Sequence, residues 1–168
     1  MHNINWPEKY LPGMTDNFVS NEMIVRGLAM DRVWEALINT SLWPRYYDNA
    51  SGIVFTDGFG PKLKLGSHFK FITFGFLVES EVVEFVAPAP ETAGRLAWSG
   101  LIDGGTETEM NLLHAWLIEE LPGGRLRVLT QESQIGRPAR EMAVTRPNPM
   151  LNAHQKWLDG LKATAFSQ

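Results

Sequence analysis

The sequence predicts an α+β domain in which a curved antiparallel sheet of about six to seven strands wraps around a long C-terminal helix. Three observations predict it: a strand followed by two short helical stretches, a central run of alternating segments separated by Gly- and Pro-rich turns, and a long helical stretch at the end. No repeat or linker divides the 168 residues, which suffice for a sizeable core, so we predict one domain over residues 1–168.

The N-terminal part is expected to hold an irregular lead-in, one strand and two short helices. Residues 1–16 contain two prolines and no apolar run of the signal-peptide kind, so they are expected to lie irregularly on the surface. Phe18–Leu28 alternates as a strand does. Apolar residues in Met30–Ile38 have helical spacing, with an acid near the start that suits the helix dipole, and Leu42–Tyr47 predicts a second short helical turn.

The central part is predicted to be an antiparallel meander. Its segments are separated by turn sequences such as Asp57-Gly58, Asp103-Gly104-Gly105 and Pro122-Gly123-Gly124. The predicted strands are Gly52–Phe55, Ser67–Phe74, Phe76–Val86, Arg95–Leu101, Glu109–Leu121 and Gly124–Ile135.

The C-terminal part returns to helical spacing. Arg137–Thr145 can start a helix, which Pro147 and Pro149 interrupt, and Met150–Phe166 predicts the long helix. One stripe of this helix is expected to hold Leu151, His154, Leu158 and Leu161, with Met150 and Trp157 beside it.

Composition excludes several classes of function. With 15 Lys and Arg against 19 Asp and Glu, the net charge is −4, and no basic face for nucleic acid is expected. The absence of cysteine removes disulfides and thiolate ligands, and the four histidines are widely spaced, so we expect no metal and no cofactor. No apolar run approaches the ~20 residues of a membrane span, so stable membrane insertion is not expected. These features predict a soluble cytoplasmic domain, with a homodimer left open.

Several short motifs together carry a family resemblance from Phe18 to the C-terminus. They are Val33-Trp34, Leu37 and Trp43-Pro44; Lys64–Phe69; Arg95–Gly100; Leu121–Gly124; Thr130-Gln131-Glu132; and the stretch from Leu151 through His154 and Trp157 to Lys162. In this order they resemble the START/birch-allergen-like (SRPBCC, helix-grip) superfamily, in its polyketide cyclase/dehydrase-like branch. Tyr46-Tyr47 and the Pro-containing segment 137–149 depart from that pattern. The superfamily includes cyclases, lipid and hormone carriers, oxygenase domains and chaperone co-factors, so the fold alone does not assign the activity.

The resemblance implies a cavity between the sheet and the long helix, and strand alternation then selects its lining. We assign the strand faces that contain Trp98, His114 with Trp116, and Glu132 to the concave side, although alternation alone allows the opposite where both faces are apolar. The expected ligand-binding residues are Trp98, Trp116, Trp157, Phe69, Phe71, Tyr46 and Tyr47. A plain core role for the tryptophans is the alternative.

His114, Glu132 and His154 form the candidate catalytic set, because a histidine beside a carboxylate can act as a general acid or base. The alternative is that each histidine is a packed residue with one satisfied hydrogen bond. Glu132 on the inner face could also anchor a ligand hydroxyl or ammonium group, or merely pair with an arginine such as Arg95 or Arg127.

Three functions follow. We favour binding of a small hydrophobic or aromatic molecule over a cofactor-independent cyclase or dehydratase, in which Tyr46 or Tyr47 could supply a phenol at the entrance. A protein–protein role rests only on the breadth of the superfamily. Convergence of His114, Glu132 and His154 on an open cavity would preserve the enzyme hypothesis, and separation of the three would remove its site.

Overall fold

The structure is a computed structural model, and it describes residues 1–105 and 107–167. The strands are β1 (Asn17–Arg26), β2 (Ser51–Phe55), β3 (His68–Thr73), β4 (Phe76–Val86), β5 (Gly94–Ile102), β6 (Met110–Leu121) and β7 (Arg125–Gly136). The helices are α1 (Met30–Ile38), α2 (Trp43–Tyr46), α3 (Arg137–Val144) and α4 (Pro149–Ser167), with short 3-10 turns at Glu8–Tyr10 and Thr40–Leu42.

The seven strands form one antiparallel sheet in the order β1-β7-β6-β5-β4-β3-β2. Strands β2 to β7 follow one another as a meander, and β1 closes the other edge by pairing with β7. Sharp turns make this possible: Gly123 and Gly124 both take positive φ between β6 and β7, a backbone region that glycine enters without steric cost. The predicted fold, an antiparallel sheet with a long C-terminal helix, is confirmed.

The two faces of the sheet carry separate apolar layers. The inner layer packs against the helices and includes Trp98, Trp116 and Ile118, whereas Ala97 and Leu117 belong to the outer layer. The concave face predicted from alternation is therefore the inner face. Residues 1–16 lie over the outer layer, where the side chains of lead-in residues Ile4 and Tyr10 are buried.

Helix α4 packs on the inner face through one stripe. Its buried residues are Met150, Ala153, His154, Trp157, Leu158, Leu161 and Ala165. The prediction that Leu151 belongs to this stripe is wrong: Leu151 falls at the edge of the stripe and is exposed. Gly160 sets how closely α4 approaches α2, since a Cβ at this position would lie 2.0 Å from the Tyr46 carbonyl oxygen.

Helix α2 places Trp43 in the centre of the inner layer. The indole Nε1 donates to the Leu37 carbonyl oxygen at 2.8 Å, which fixes the ring on the end of α1. The Trp43 ring then contacts Phe71, Trp98 and Trp157, at centroid distances of 5.8, 5.6 and 5.1 Å. In the described part of the chain, none of the helices is both long and apolar enough for a membrane span.

Candidate functional site

Strand register builds the first half of the site. Trp98 on β5 lies directly opposite His114 on β6, and His114 lies directly opposite Glu132 on β7. Directly opposed residues of antiparallel strands point to the same face, so these three side chains form one row across the inner face. Alternation in the sequence predicted that these residues share a face, and the strand register shows that they are direct neighbours on it.

Helix α4 supplies the other half, because His154 projects from its buried stripe onto the same row. His154 Nε2 lies 3.1 Å from Glu132 Oε2, and His114 Nδ1 lies 3.3 Å from the same oxygen. The two imidazole rings are stacked, with centroids 4.5 Å apart and planes inclined by 7°. On the far side of its ring, His114 Nε2 hydrogen-bonds the Thr130 hydroxyl at 2.8 Å. The candidate catalytic residues therefore converge, with all three side chains no more than 4% exposed.

A chain of buried amides holds the other oxygen of Glu132. Asn148 accepts the Met150 backbone N–H at the start of α4, so its amide nitrogen is free to donate to Asn17 Oδ1 at 2.8 Å. Asn17 then donates to Gln134 Oε1 at 2.7 Å, and Gln134 donates to Glu132 Oε1 at 2.5 Å. The Met150 backbone N–H fixes the orientation of the Asn148 amide, and each following amide then donates to the next. The series of hydrogen bonds ends at Glu132 Oε1, which accepts.

The surroundings of the row keep His114 neutral. Complete burial, reinforced by the neighbouring His154, holds the pKa of His114 well below its ordinary value of 6.5. The Trp98 and Trp157 rings lie 4.6 and 5.4 Å from the His114 ring, between centroids. At neutral pH His114 therefore keeps a lone pair that can accept a proton.

Glu132 has no arginine partner, contrary to one of the alternatives considered from sequence. Arg127 points to the outer face, where it pairs with Glu22 and Glu119. Arg95 lies near Glu84, at 3.9 Å between Nη1 and Oε1, and donates to the Asn3 carbonyl oxygen. An odd separation along β7 puts Arg127 and Glu132 on opposite faces, which excludes a direct pair.

The row opens onto a cavity of about 230 Å³ between the sheet and helices α3 and α4. Its walls are mainly apolar and aromatic, and the buried polar side chains of the lining are His114, Glu132, Gln134 and His154. The lining also includes Tyr47, Phe71, Phe74, Phe76, Val78, Trp98, Ile102, Met110, Leu112, Met142, Met150 and Trp157. This is the composition of a small-molecule site, with an apolar wall and a few polar groups at one end.

The mouth of the cavity lies between the β3–β4 turn and α3. Phe74 and Phe76 on the turn line the cavity although each is about two-fifths exposed. Glu141 and Met142 on α3 line it from the other side. Glu141 is solvent-exposed and pairs with Arg137 at 3.0 Å. The deep end, at Glu132, and the rim are therefore chemically distinct.

Four of the seven predicted ligand-binding residues are on the cavity wall: Tyr47, Phe71, Trp98 and Trp157. Tyr47 stacks on Trp157 at 4.3 Å between centroids. Burial raises the pKa of Tyr47 to about 12, so its phenol stays protonated at neutral pH.

The other three, Trp116, Phe69 and Tyr46, do not line the cavity. On β6 the cavity lining ends at His114, and on β3 it begins at Phe71. Trp116 and Phe69 are the next inward-facing residues of these strands, and they are buried in the inner layer outside the cavity. The Tyr46 hydroxyl instead donates to the Ala36 carbonyl oxygen at 3.0 Å, which turns the phenol towards α1. We therefore leave these three out of the proposed ligand contacts.

Sequence reasoning missed the amides that hold Glu132. Gln134 could have been found, because it lies two residues from Glu132 and so shares its face. Asn148 also carried a signal, as an Asn directly before a helix is a common N-cap. Nothing in the sequence indicated that Asn17 would connect the two, since that contact depends on the pairing of β1 with β7.

The arrangement suits proton transfer better than metal binding. In the described part of the chain, one group could hold a metal ion: His114, Glu132 and His154 each offer a ligand atom, all within 4.8 Å of one another. Two histidines and a carboxylate are ligands that transition metals accept. The parallel stacking of the imidazoles, however, prevents both ring lone pairs from pointing at one central ion, so one ring would have to turn. Proton exchange with the shared Oε2 needs no such rearrangement.

The fold and the cavity define a class: a helix-grip domain with a mainly apolar cavity and one buried polar end. No protein-family profile matches the chain. No curated protein matches it either. The chain is 47% identical to the hypothetical protein jhp0584 from Helicobacter pylori, with a TM-score of 0.94 over 98% of this chain and 97% of the other. It belongs to the same family as that protein.

More distant structures share the fold. Truncated norcoclaurine synthase from Thalictrum flavum has a TM-score of 0.65 at 8% identity, over 90% of this chain and 94% of the enzyme. Protein MLL2253 from Mesorhizobium loti has a TM-score of 0.64 at 14% identity, over 90% of this chain and 98% of the other. At these identities the likenesses show a shared fold and nothing further.

Proposed function

We propose that the protein binds one small hydrophobic or aromatic molecule in the cavity between the sheet and helix α4. The observation that carries this proposal is an apolar cavity with a single polar end, reached through an exposed rim. At about 230 Å³ the cavity is smaller than the ~300–1,000 Å³ usual for drug-sized ligands, which favours a molecule of one or two rings. Trp98, Trp157, Tyr47 and Phe71 would contact its faces.

Binding of 2-naphthol, a neutral compound of two fused rings, tests this proposal by titration calorimetry. We expect one molecule per chain. Met142 lines the mouth, so Met142→Trp should narrow the entrance and weaken binding by about tenfold or more. Val144→Trp is the matched control, since Val144 lies on the same helix and is 76% exposed. Absence of binding by the unmodified protein, or equal affinities for the two variants, would contradict the proposal.

A second candidate is a cofactor-independent enzyme of the cyclase or dehydratase kind, as the resemblance to the polyketide cyclase branch implies. It is favoured by the convergence of His114, Glu132 and His154 at the cavity. Neutral His114 would take a proton from a carbon next to a carbonyl group. The proton could then return to an oxygen of the product through the same imidazole, with the Glu132 carboxylate stabilising the transient imidazolium.

Proton exchange in 2-tetralone, a ketone of two fused rings, measures this first step without knowledge of the substrate. In D₂O we expect the protein to exchange the protons next to the carbonyl ~10²-fold or more faster than buffer, as general base catalysis allows. His114→Asn should lose the acceleration while retaining 2-naphthol binding. A rate equal to that of buffer would leave binding as the function.

A further inference from the structure

The charge distribution of the cavity is one-sided. Among the described lining residues there is no lysine and no arginine, and the lining includes two acidic residues, Glu132 and Glu141. Glu141 is at the exposed rim and has Arg137 as its partner. Glu132 is at the deep end, 4% exposed, and its neighbours are two histidines and an amide.

The amide chain makes Glu132 a fixed acceptor. One oxygen receives the Gln134 amide, whose direction follows from the N-cap of α4, and the second oxygen is close to both imidazoles. A carboxylate held in this way presents lone pairs to the cavity, and among the described residues no lysine or arginine pairs with it there. Burying a carboxylate without a lysine or arginine partner is costly, and a ligand of opposite charge lowers that cost.

The walls around this end suit a cation as well. The Trp98 and Trp157 indoles lie close to the histidine pair, and both line the cavity together with Tyr47. Indole and phenol faces attract cations within about 6 Å, and a carboxylate framed by such rings is a common way to bind an ammonium group.

We infer that the natural ligand is a compact aromatic or alicyclic amine, whose ammonium group pairs with Glu132 while its ring lies between the aromatic walls. This inference rests on the proposed binding function and narrows its ligand class. It excludes fatty acids and other carboxylates as the preferred ligands, because their charge would meet Glu132 without a compensating cation.

Three probes of one shape test the inference at pH 7.5: 2-naphthylmethylamine, 2-naphthol and 2-naphthoate. For the unmodified protein we expect the amine to bind about tenfold or more tighter than the naphthoate, and 2-naphthol to have an affinity between the two. A hydrogen bond to a charged group typically changes an affinity by about tenfold or more. In Glu132→Gln the advantage of the amine over 2-naphthol should disappear, so that the ratio of their affinities falls to about one.

Glu119→Gln is the matched control. It removes one negative charge from an equally buried carboxylate of β6, on the outer face of the sheet. We expect the amine-to-naphthol ratio to be unchanged in this variant. A comparable loss in both variants would mean that net charge, rather than Glu132, sets the preference, and would overturn the inference.

The outcomes distinguish a failure of the inferred ligand class from a failure of the proposed binding function. Failure of all three probes to bind contradicts the proposed function itself. Binding of 2-naphthol without preference for the amine, or with preference for the naphthoate, overturns only the ligand class. If Glu132→Gln does not fold, the affinity ratios of the unmodified protein decide: a ratio near one between amine and naphthoate overturns the inference, and about tenfold or more supports it.

Discussion

Strands β6 and β7 carry a buried polar cluster on each face of the sheet, and the two clusters differ in how their charges are balanced. On the outer face Arg127 donates to Glu119 at 2.7 Å and to Glu22 at 2.5 Å, and it also binds the His2 carbonyl oxygen. On the inner face Glu132 meets His154 and an amide, with no arginine or lysine in contact among the described residues.

The outer cluster has a structural role. The His2 backbone and imidazole both hydrogen-bond Glu119, which ties the lead-in down over the outer apolar layer. Burial raises the pKa of Glu119, but the hydrogen bonds from Arg127 and His2 outweigh this effect and hold the pKa below its usual value. The inner cluster places a carboxylate without a lysine or arginine partner beside a cavity, and perturbed ionisable groups of this kind are common at functional sites. Similar side chains on the same two strands therefore serve different purposes.

The largest expected effect contrasts packing on the two faces. Trp98→Ala should lower the free energy of unfolding by about 3–5 kcal/mol, because it removes a fully buried indole from the inner layer. Leu113→Ala on the outer face should cost about 2 kcal/mol, since the thin lead-in can settle onto the smaller side chain. Urea unfolding followed by circular dichroism compares the two. A larger loss for Leu113→Ala would reverse the ranking of the two layers.

Charge removal should destabilise the outer cluster much more than the inner one. Arg127→Met leaves Glu119 and Glu22 without their shared cation and should cost about 2–3 kcal/mol of unfolding free energy. Glu132→Gln should stay within about 1 kcal/mol of the unmodified protein, because among the described residues no lysine or arginine loses a partner. Denaturant midpoints at pH 7.5 measure both. A loss above about 2 kcal/mol for Glu132→Gln would show that the inner carboxylate is also structural.

The smallest expected effect is a difference in the pH range over which each cluster contributes to folding stability. The folded pKa of His114 is lowered, so unfolded chains bind the extra proton first, and the stability it contributes is complete above 6.5 and declines as pH falls below that value. The folded pKa of Glu119 is also lowered, so its contribution persists above 4.5 and is lost only in more acidic solution. Melting temperatures between pH 8 and pH 3.5 should decline in two stages.

His114→Asn should remove the stage near neutral pH and leave the acidic one. Glu119→Gln should do the converse. Identical pH profiles for the two variants would contradict the assignment of the two stages to the two faces.

The sequence predicted the fold closely, because alternation and turn chemistry are local. The predicted strand Phe76–Val86 and helix Met30–Ile38 have the observed bounds, and the inner faces of β5, β6 and β7 were chosen correctly. The site was harder. Trp98 and Trp116 occupy equivalent inner positions of neighbouring strands, yet only Trp98 lines the cavity. Alternation identifies a face but gives no position along it.

The sequence by itself determined which residues could share a face: His114 and Glu132 on the strands, and His154 with Trp157 on the long helix. Only the tertiary structure brought them together. The register of β6 with β7 sets His114 opposite Glu132, and the close approach of α4 to α2 at Gly160 helps to fix where His154 projects. The physical reason is that periodicity follows from the local geometry of a few neighbouring residues, whereas the buried contact of His154 with Glu132 depends on how helix α4 packs against the sheet.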